Sequence, residues 1–220
     1  MCGVIGVSLR VADIDLIRSV LTESMIRGKH ATGVSYVKNG VIHTVKHGVP
    51  VDRFLQKFDL NEMINEDGGV YMIGHIRYST SDIRYNQPFQ GDGISIVHNG
   101  VISQDSADTW KYSTNTSNDS ELVLKSIEAG NDPLTDFRPA SMAVCTISDD
   151  KTLTCFRNEA RPLWFNDLEG GVVFTSTKDI SLRSGLSNPT KCDMYKKYTY
   201  SANKLVDKMV DISYNVSDLQ

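Results

Sequence analysis

A chain of 220 residues with 40% hydrophobic and 23% charged side chains has the composition of a globular protein with enough apolar side chains for a real core. Its net charge of −4 excludes a broadly basic face of the kind that binds nucleic acid, and no apolar run approaches the roughly 20 residues that cross a bilayer. The opening MCGVIGVSLR lacks a basic stretch followed by a long apolar one, so it is not a secretory signal.

In chain order, residues 3–9 predict a buried strand. From about Asp13 to Arg27, Leu16, Ile17, Val20, Leu21 and Met25 recur at helical spacing, which predicts an amphipathic helix ending before Gly28. Residues 33–38 and 41–47 predict a hairpin turned at Asn39-Gly40. A short helix over 51–57 and a polar loop over 59–69 follow. Residues 70–77 predict a strand running into Tyr78-Ser79-Thr80-Ser81, and 94–98 another that stops at Asn99-Gly100.

The polar stretch 103–117 reads as an exposed loop, followed by a helix from about Ser120 to Ala129. Strands over 141–147 and 151–157, then over 162–166 and 171–175, form two more hairpins. A short helix near 177–184 and a polar tail complete the chain. Strands dominate, they come in hairpins, and nothing marks a domain boundary, so antiparallel sheets with helices outside are expected in one domain over 1–220.

Of the four cysteines, Cys2, Cys145, Cys155 and Cys192, none has the close paired spacing of a zinc site. Cys145 and Cys155 lie in apolar strands and read as reduced core residues, which fits a cytoplasmic, reducing setting. The five histidines are too dispersed in sequence to nominate as a metal cluster, and each reads as a hydrogen-bonded structural residue. Arg161-Pro162-Leu163 and Asn86-Gln87-Pro88-Phe89 read as structural.

Removal of Met1 would leave Cys2 carrying a thiol and a free α-amine on one carbon, a nucleophile and its base in one residue. Their ordinary pKa values, about 8.5 and 7.7–8.0, make proton exchange between them nearly balanced. On position alone Cys2 is simply the residue after the start. Arg77, at the end of a strand before a hydroxyl-rich turn, is suited to a carboxylate, either a ligand's or that of a structural acid. Asn99-Gly100 offers a side-chain and a backbone donor, as in an oxyanion hole, or is an ordinary turn. Asp119 either caps the helix that follows it or holds a ligand's ammonium group.

Taken together, MCGVIG, RGKHATG, GHIRYST, NQPF, HNG and DSE resemble the glutaminase domain of class II glutamine amidotransferases, across Cys2 to about Glu121. The likeness is nearest to the amidophosphoribosyltransferase type. It implies an N-terminal-nucleophile hydrolase with a four-layer αββα sandwich that needs no metal or organic cofactor. By position it implies Cys2 as nucleophile and Asn99 with Gly100 as oxyanion hole. Arg77 helped by Thr80 would hold the glutamine carboxylate, Asp119 its ammonium, and Arg27 would support the site. His30 and Ala31-Thr32 within RGKHATG, and Ser81, depart from the family pattern beside this pocket.

The resemblance implies release of ammonia from L-glutamine through a γ-glutamyl thioester, for use by a synthase. No synthase motif is visible within the 220 residues, so a separate synthase partner is expected, with no nucleic acid or membrane involved. Two rival readings are an N-terminal-cysteine hydrolase of another amide, which need not keep Arg77 and Asp119, and a non-catalytic binding or regulatory module.

Overall fold

A computed structural model describes residues 1–79, 85–138 and 140–201. The expectations for Thr80 and Ser81 therefore lie outside the described residues.

The first strand, β1 (Gly3–Leu9), is buried along its whole length. Helix α1 (Ile14–Glu23) starts where the Asp13 side chain accepts from Leu16 N, and it buries Ile17, Val20 and Leu21. That short-range cap satisfies one of the amides that a helix start leaves unpaired. The helix is shorter than its periodicity predicts, because Ser24–Ile26 tighten into a 3-10 turn before Gly28. Strands β2 (Ala31–Lys38) and β3 (Val41–His47) form the expected hairpin. Asn39 and Gly40 both take positive φ there, 55° and 71°, as a type I′ turn requires.

Helix α2 (Val51–Phe54) is followed by a 3-10 turn, Leu60–Met63, that buries Leu60 and Met63. The expectation of a featureless loop over 59–69 is thus corrected: two apolar side chains pull it onto the core. Strand β4 (Val70–Arg77) is fully buried, and β5 (Phe89–Gln90) pairs with β6 (Ile94–Val101). Helices α3 (Glu121–Glu128) and α4 (Pro133–Asp136) precede the hairpin β7 (Ser141–Ser148) and β8 (Leu153–Arg157). Strands β9 (Trp164–Leu168) and β10 (Gly171–Thr175) lead to α5 (Lys178–Arg183).

The polar tail is a second correction. It contains β11 (Thr190–Lys191) and β12 (Lys197–Tyr200), which pair at the outer edges of the two sheets.

The seven-stranded sheet runs β11-β9-β10-β1-β4-β2-β3 and the five-stranded sheet β12-β8-β7-β6-β5. Every described pairing is antiparallel. Val4, Tyr71 and Ile73 of the first sheet meet Val97, Cys145 and Cys155 of the second in one apolar cluster between them. On the outer face of the seven-stranded sheet, Ile5, Val7 and Ile76 pack on α1 and α2 through Ile17, Leu21 and Phe54. On the other outer face, Ile96 and Val144 pack against Val123 of α3 and Leu134 of α4. Helix, sheet, sheet, helix is the four-layer αββα sandwich expected from the resemblance.

Candidate active site

Strand side chains alternate between the two faces of a sheet, and the apolar cluster tells which face is which. Val4 faces the second sheet, so Cys2, two residues earlier, leaves β1 on the same side. Tyr71 and Ile73 face inward on β4, which puts His75 and Arg77 on that face. Val97 faces inward on β6, and Asn99 follows it. Three strands thus deliver a thiol, a guanidinium and a carboxamide to one end of the inter-sheet layer. The register brings β1 and β4 together there, with Gly3 opposite Ile76.

A cleft of about 240 Å³ opens at this end, lined among others by Cys2, Arg77, Gly100 and Asp119. Its size suits an amino acid better than a large cofactor. The Cys2 thiol donates to the carbonyl oxygen of Tyr78 at 3.7 Å. Arg27 does not line the cleft; its Nε donates to the carbonyl oxygen of Cys2 at 3.2 Å. Burial lowers the pKa of its guanidinium, the charge near Cys2 opposing.

Arg77 is buried, and its Nη1 donates to Asn86 Oδ1 at 2.7 Å and to Tyr85 O at 3.0 Å. Those bonds aim the fork along the cleft wall. Gly28 explains how the preceding turn fits there: a Cβ on it would lie 2.4 Å from the backbone of Arg77, so only glycine lets the two segments approach.

The strand β6 does not stop at Asn99-Gly100 as the dipeptide predicts. It runs extended through Val101, with Asn99 opposite Ala143 and Gly100 opposite Met142. The amide and carbonyl of Met142 are both bonded to Asn158 instead, so Gly100 forms a non-hydrogen-bonded pair with β7 and turns its N–H to the opposite edge. The same edge at His98 is taken by the Gln87 side chain, which accepts from His98 N at 2.6 Å and donates to His98 O at 3.0 Å. Two residues on, the Gly100 N–H points beyond Gln87 toward the cleft. Asn99 stands behind the cleft lining, 4% exposed, and its Nδ2 has no hydrogen-bond partner among the described residues. A buried amide left unpaired costs about 1–3 kcal/mol.

Asp119 lines the cleft but does not cap α3, which corrects the capping reading. The residue preceding that helix is Ser120, whose side chain makes no cap bond. The Asp119 Oδ2 instead accepts from Ile102 N and Ser103 N, at 2.6 and 3.2 Å. This joins the end of β6 to the start of α3 and leaves Oδ1 without a partner among the described residues.

Residues that the sequence did not single out for chemistry also line the cleft, including His75, Gln87, His98 and Ser120. His75 corrects the expectation of a hydrogen-bonded structural histidine, since its buried Nε2 has no partner among the described residues. Burial above all, then the positive charge of Arg77, pushes its pKa down to about 3. His30, which departs from the family pattern, accepts from Ser79 N through Nδ1 at 2.7 Å and packs against Tyr78. It supplies an acceptor to the amide that follows Tyr78, whose carbonyl contacts Cys2. The other three cysteines are free and buried.

No family model matches the chain. It is 27% identical over 149 residues to a glutamine–fructose-6-phosphate aminotransferase (isomerizing) of Bartonella henselae, covering 60% of this chain and 23% of that protein. It is 26% identical over 182 residues to the protein of the same name from Mesorhizobium japonicum, covering 72% of this chain and 29% of the other. The chain thus spans only about a quarter of the length of these curated relatives.

Among solved structures, the glutamine phosphoribosylpyrophosphate amidotransferase of B. subtilis matches 97% of this chain and 50% of its own, with a TM-score of 0.76 and 17% identity. A predicted glutamine amidotransferase of Pseudomonas aeruginosa matches 94% and 99%, with a TM-score of 0.52 and 10% identity. The likeness to class II glutamine amidotransferases, drawn from the motifs, therefore holds both in sequence relatives and in fold.

Proposed function

We propose that this chain, as a relative of the class II glutamine amidotransferases, hydrolyses the side-chain amide of L-glutamine to glutamate and ammonia. The observation that carries the reading is the meeting of Cys2, Arg77, Gly100 and Asp119 on one amino-acid-sized cleft. Each comes from a different segment, and each matches one demand of the reaction. Arg77 and Asp119, at one cleft, favour an α-amino acid over other amides, because a carboxylate and an ammonium then have opposite charges to meet.

In this reading Met1 is removed and the α-amine of Cys2 takes the thiol proton. The thiolate attacks the side-chain amide carbon, and the resulting oxyanion is held by Asn99 Nδ2 and the Gly100 N–H. The ammonium of Cys2 then protonates the departing nitrogen as the C–N bond breaks, leaving a γ-glutamyl thioester and ammonia. Water adds to the thioester, the C–S bond breaks, and glutamate leaves with the thiol restored. Thr80 belongs to the carboxylate subsite by motif position. Arg27 holds the Cys2 backbone so that thiol and amine face the cleft. No step calls on a metal or organic cofactor.

The ammonia is destined for an acceptor on a synthase. The three buried free cysteines fit a reducing, cytoplasmic setting. No described helix is long and apolar enough to cross a membrane.

Ammonia release from L-glutamine by the purified chain, compared with Cys2→Ala and Cys2→Ser, tests the proposal. Release by the parent and none by the variants is expected. Equal release by all three contradicts it.

A further inference from the structure

We propose that His98 is a positioning residue for the oxyanion donors, a buried clamp that fixes the height and direction of the Gly100 peptide. The inference rests on the amide-hydrolysis reading above and deepens it.

The ring of His98 is 1% exposed and bonded at both nitrogens. Nε2 lies 3.2 Å from the carbonyl oxygen of Ser141, and Nδ1 lies 2.8 Å from Ser120 Oγ. A carbonyl only accepts, so Nε2 carries the proton. In the neutral Nε2–H tautomer Nδ1 accepts, and burial favours the neutral form by lowering the pKa, with Asp119 and the Ser141 bond opposing and Arg161 adding to it. Ser120 Oγ in turn receives a hydrogen bond from Gln87 Nε2 at 3.0 Å, which frees its own proton for Nδ1. One proton arrangement therefore satisfies the whole chain, running from Gln87 through Ser120 and His98 to Ser141. The second proton of Gln87 Nε2 and its Oε1 clasp the His98 backbone. A buried network with every member satisfied is rigid.

The rigidity matters because of what it encloses. A Cβ built on Gly100 would lie 1.8 Å from Ser141 O and 2.6 Å from His98 Nε2. The two atoms of the His98–Ser141 bond thus form the slot in which the Gly100 backbone sits. Val101 N closes the far side by donating to Ser141 Oγ at 3.0 Å. Removing the ring would open the slot, and the Gly100 N–H would lose its aim while the thiol, Arg77 and Asp119 stayed in place. Ser120 directly follows Asp119, so the same clamp joins the oxyanion donors to the ammonium end of the cleft.

The test uses the full chain with His98→Phe, which keeps a ring without hydrogen bonds, and His98→Gln, which keeps a donor and an acceptor. An oxyanion donor is worth about 10²–10³ in rate, so His98→Phe is expected to lower kcat for glutamine about 10²-fold with KM within about threefold. His98→Gln is expected to recover about tenfold of that loss, and neither shifts the acid limb of the pH–rate profile, because the ring acts by holding the peptide and not by exchanging a proton. A His98→Phe protein with kcat within about threefold of the parent, or with a shifted acid limb, overturns the proposal. Should His98→Phe fail to fold, Ser120→Ala keeps the ring and removes the donor to Nδ1; a kcat lowered three- to tenfold supports the clamp and an unchanged one overturns it. Imidazole ¹⁵N shifts give a reading without turnover: the Nε2–H tautomer near neutral pH supports the clamp, and the Nδ1–H tautomer or a protonated ring there overturns it. A parent chain that releases no ammonia would sink the amide-hydrolysis reading and leave that spectroscopic test of His98 intact.

Discussion

Arg27 grips Cys2 by its backbone: its Nε donates to the Cys2 carbonyl oxygen at 3.2 Å, while the thiol donates to Tyr78 O. The guanidinium therefore orients the residue through its backbone. Lysine cannot reproduce a planar fork. Arg27→Lys is expected to lower kcat about tenfold, since small misplacements of a reacting group are costly, with KM for glutamine little changed. Steady-state ammonia release checks this, and a raised KM with unchanged kcat would assign Arg27 to the substrate instead.

Asn99 offers a case in which function and stability part. Its Nδ2 is buried and has no partner among the described residues. Asn99→Ala is expected to lower kcat about 10²–10³-fold while the melting temperature stays level or rises, because an unpaired buried donor costs about 1–3 kcal/mol. Parallel kinetics and thermal melts decide it, and a large fall in melting temperature would show that the carboxamide has a structural partner after all.

The ammonium end is tested by Asp119→Asn, which keeps acceptors for Ile102 N and Ser103 N but removes the charge. KM for glutamine is expected to rise about tenfold, equivalent to about 1.4 kcal/mol, with the fold intact. An unchanged KM would return Asp119 to a purely structural role.

Acid stability follows from His75. The unfolded side chain takes up a proton near its ordinary 6.5, whereas the folded one takes none until about 3. Between those values the unfolded chain binds more protons. The stability that comes from keeping His75 neutral is therefore fully present above about pH 6.5 and is lost as pH falls toward about 3. His98 acts in the same direction. Urea melts at stepped pH are expected to show a shallower slope for His75→Gln than for the parent, and identical slopes would contradict the assignment.

Much of the fold was legible because the strands alternate and the turns carry their own chemistry, as at Asn39-Gly40. The tail was misread because its strands are short and polar: Lys197, Tyr198, Thr199 and Tyr200 do alternate, with both tyrosines buried, but four residues make a weak signal. The Asn99-Gly100 dipeptide predicts a turn from local preference, and tertiary pairing with β7 overrides it. Asp119 looks like a cap from its place before α3, yet its partners are the amides of Ile102 and Ser103, 16 to 17 residues away in sequence. Cys2, Arg77 and Gly100, which line the cleft, were singled out through motifs, whereas His75 and His98 became conspicuous only when their burial and surroundings were known.

The central claim, that Cys2 becomes a nucleophile by losing the residue before it, is most directly tested by intact mass spectrometry of active protein before and after treatment with a glutamine-like diazoketone. The account predicts a mass lacking the initiator methionine, then one added group on Cys2 with Cys145, Cys155 and Cys192 unmodified, in step with loss of ammonia release. Full activity in a chain that retains Met1, or inactivation with the adduct elsewhere, would contradict it.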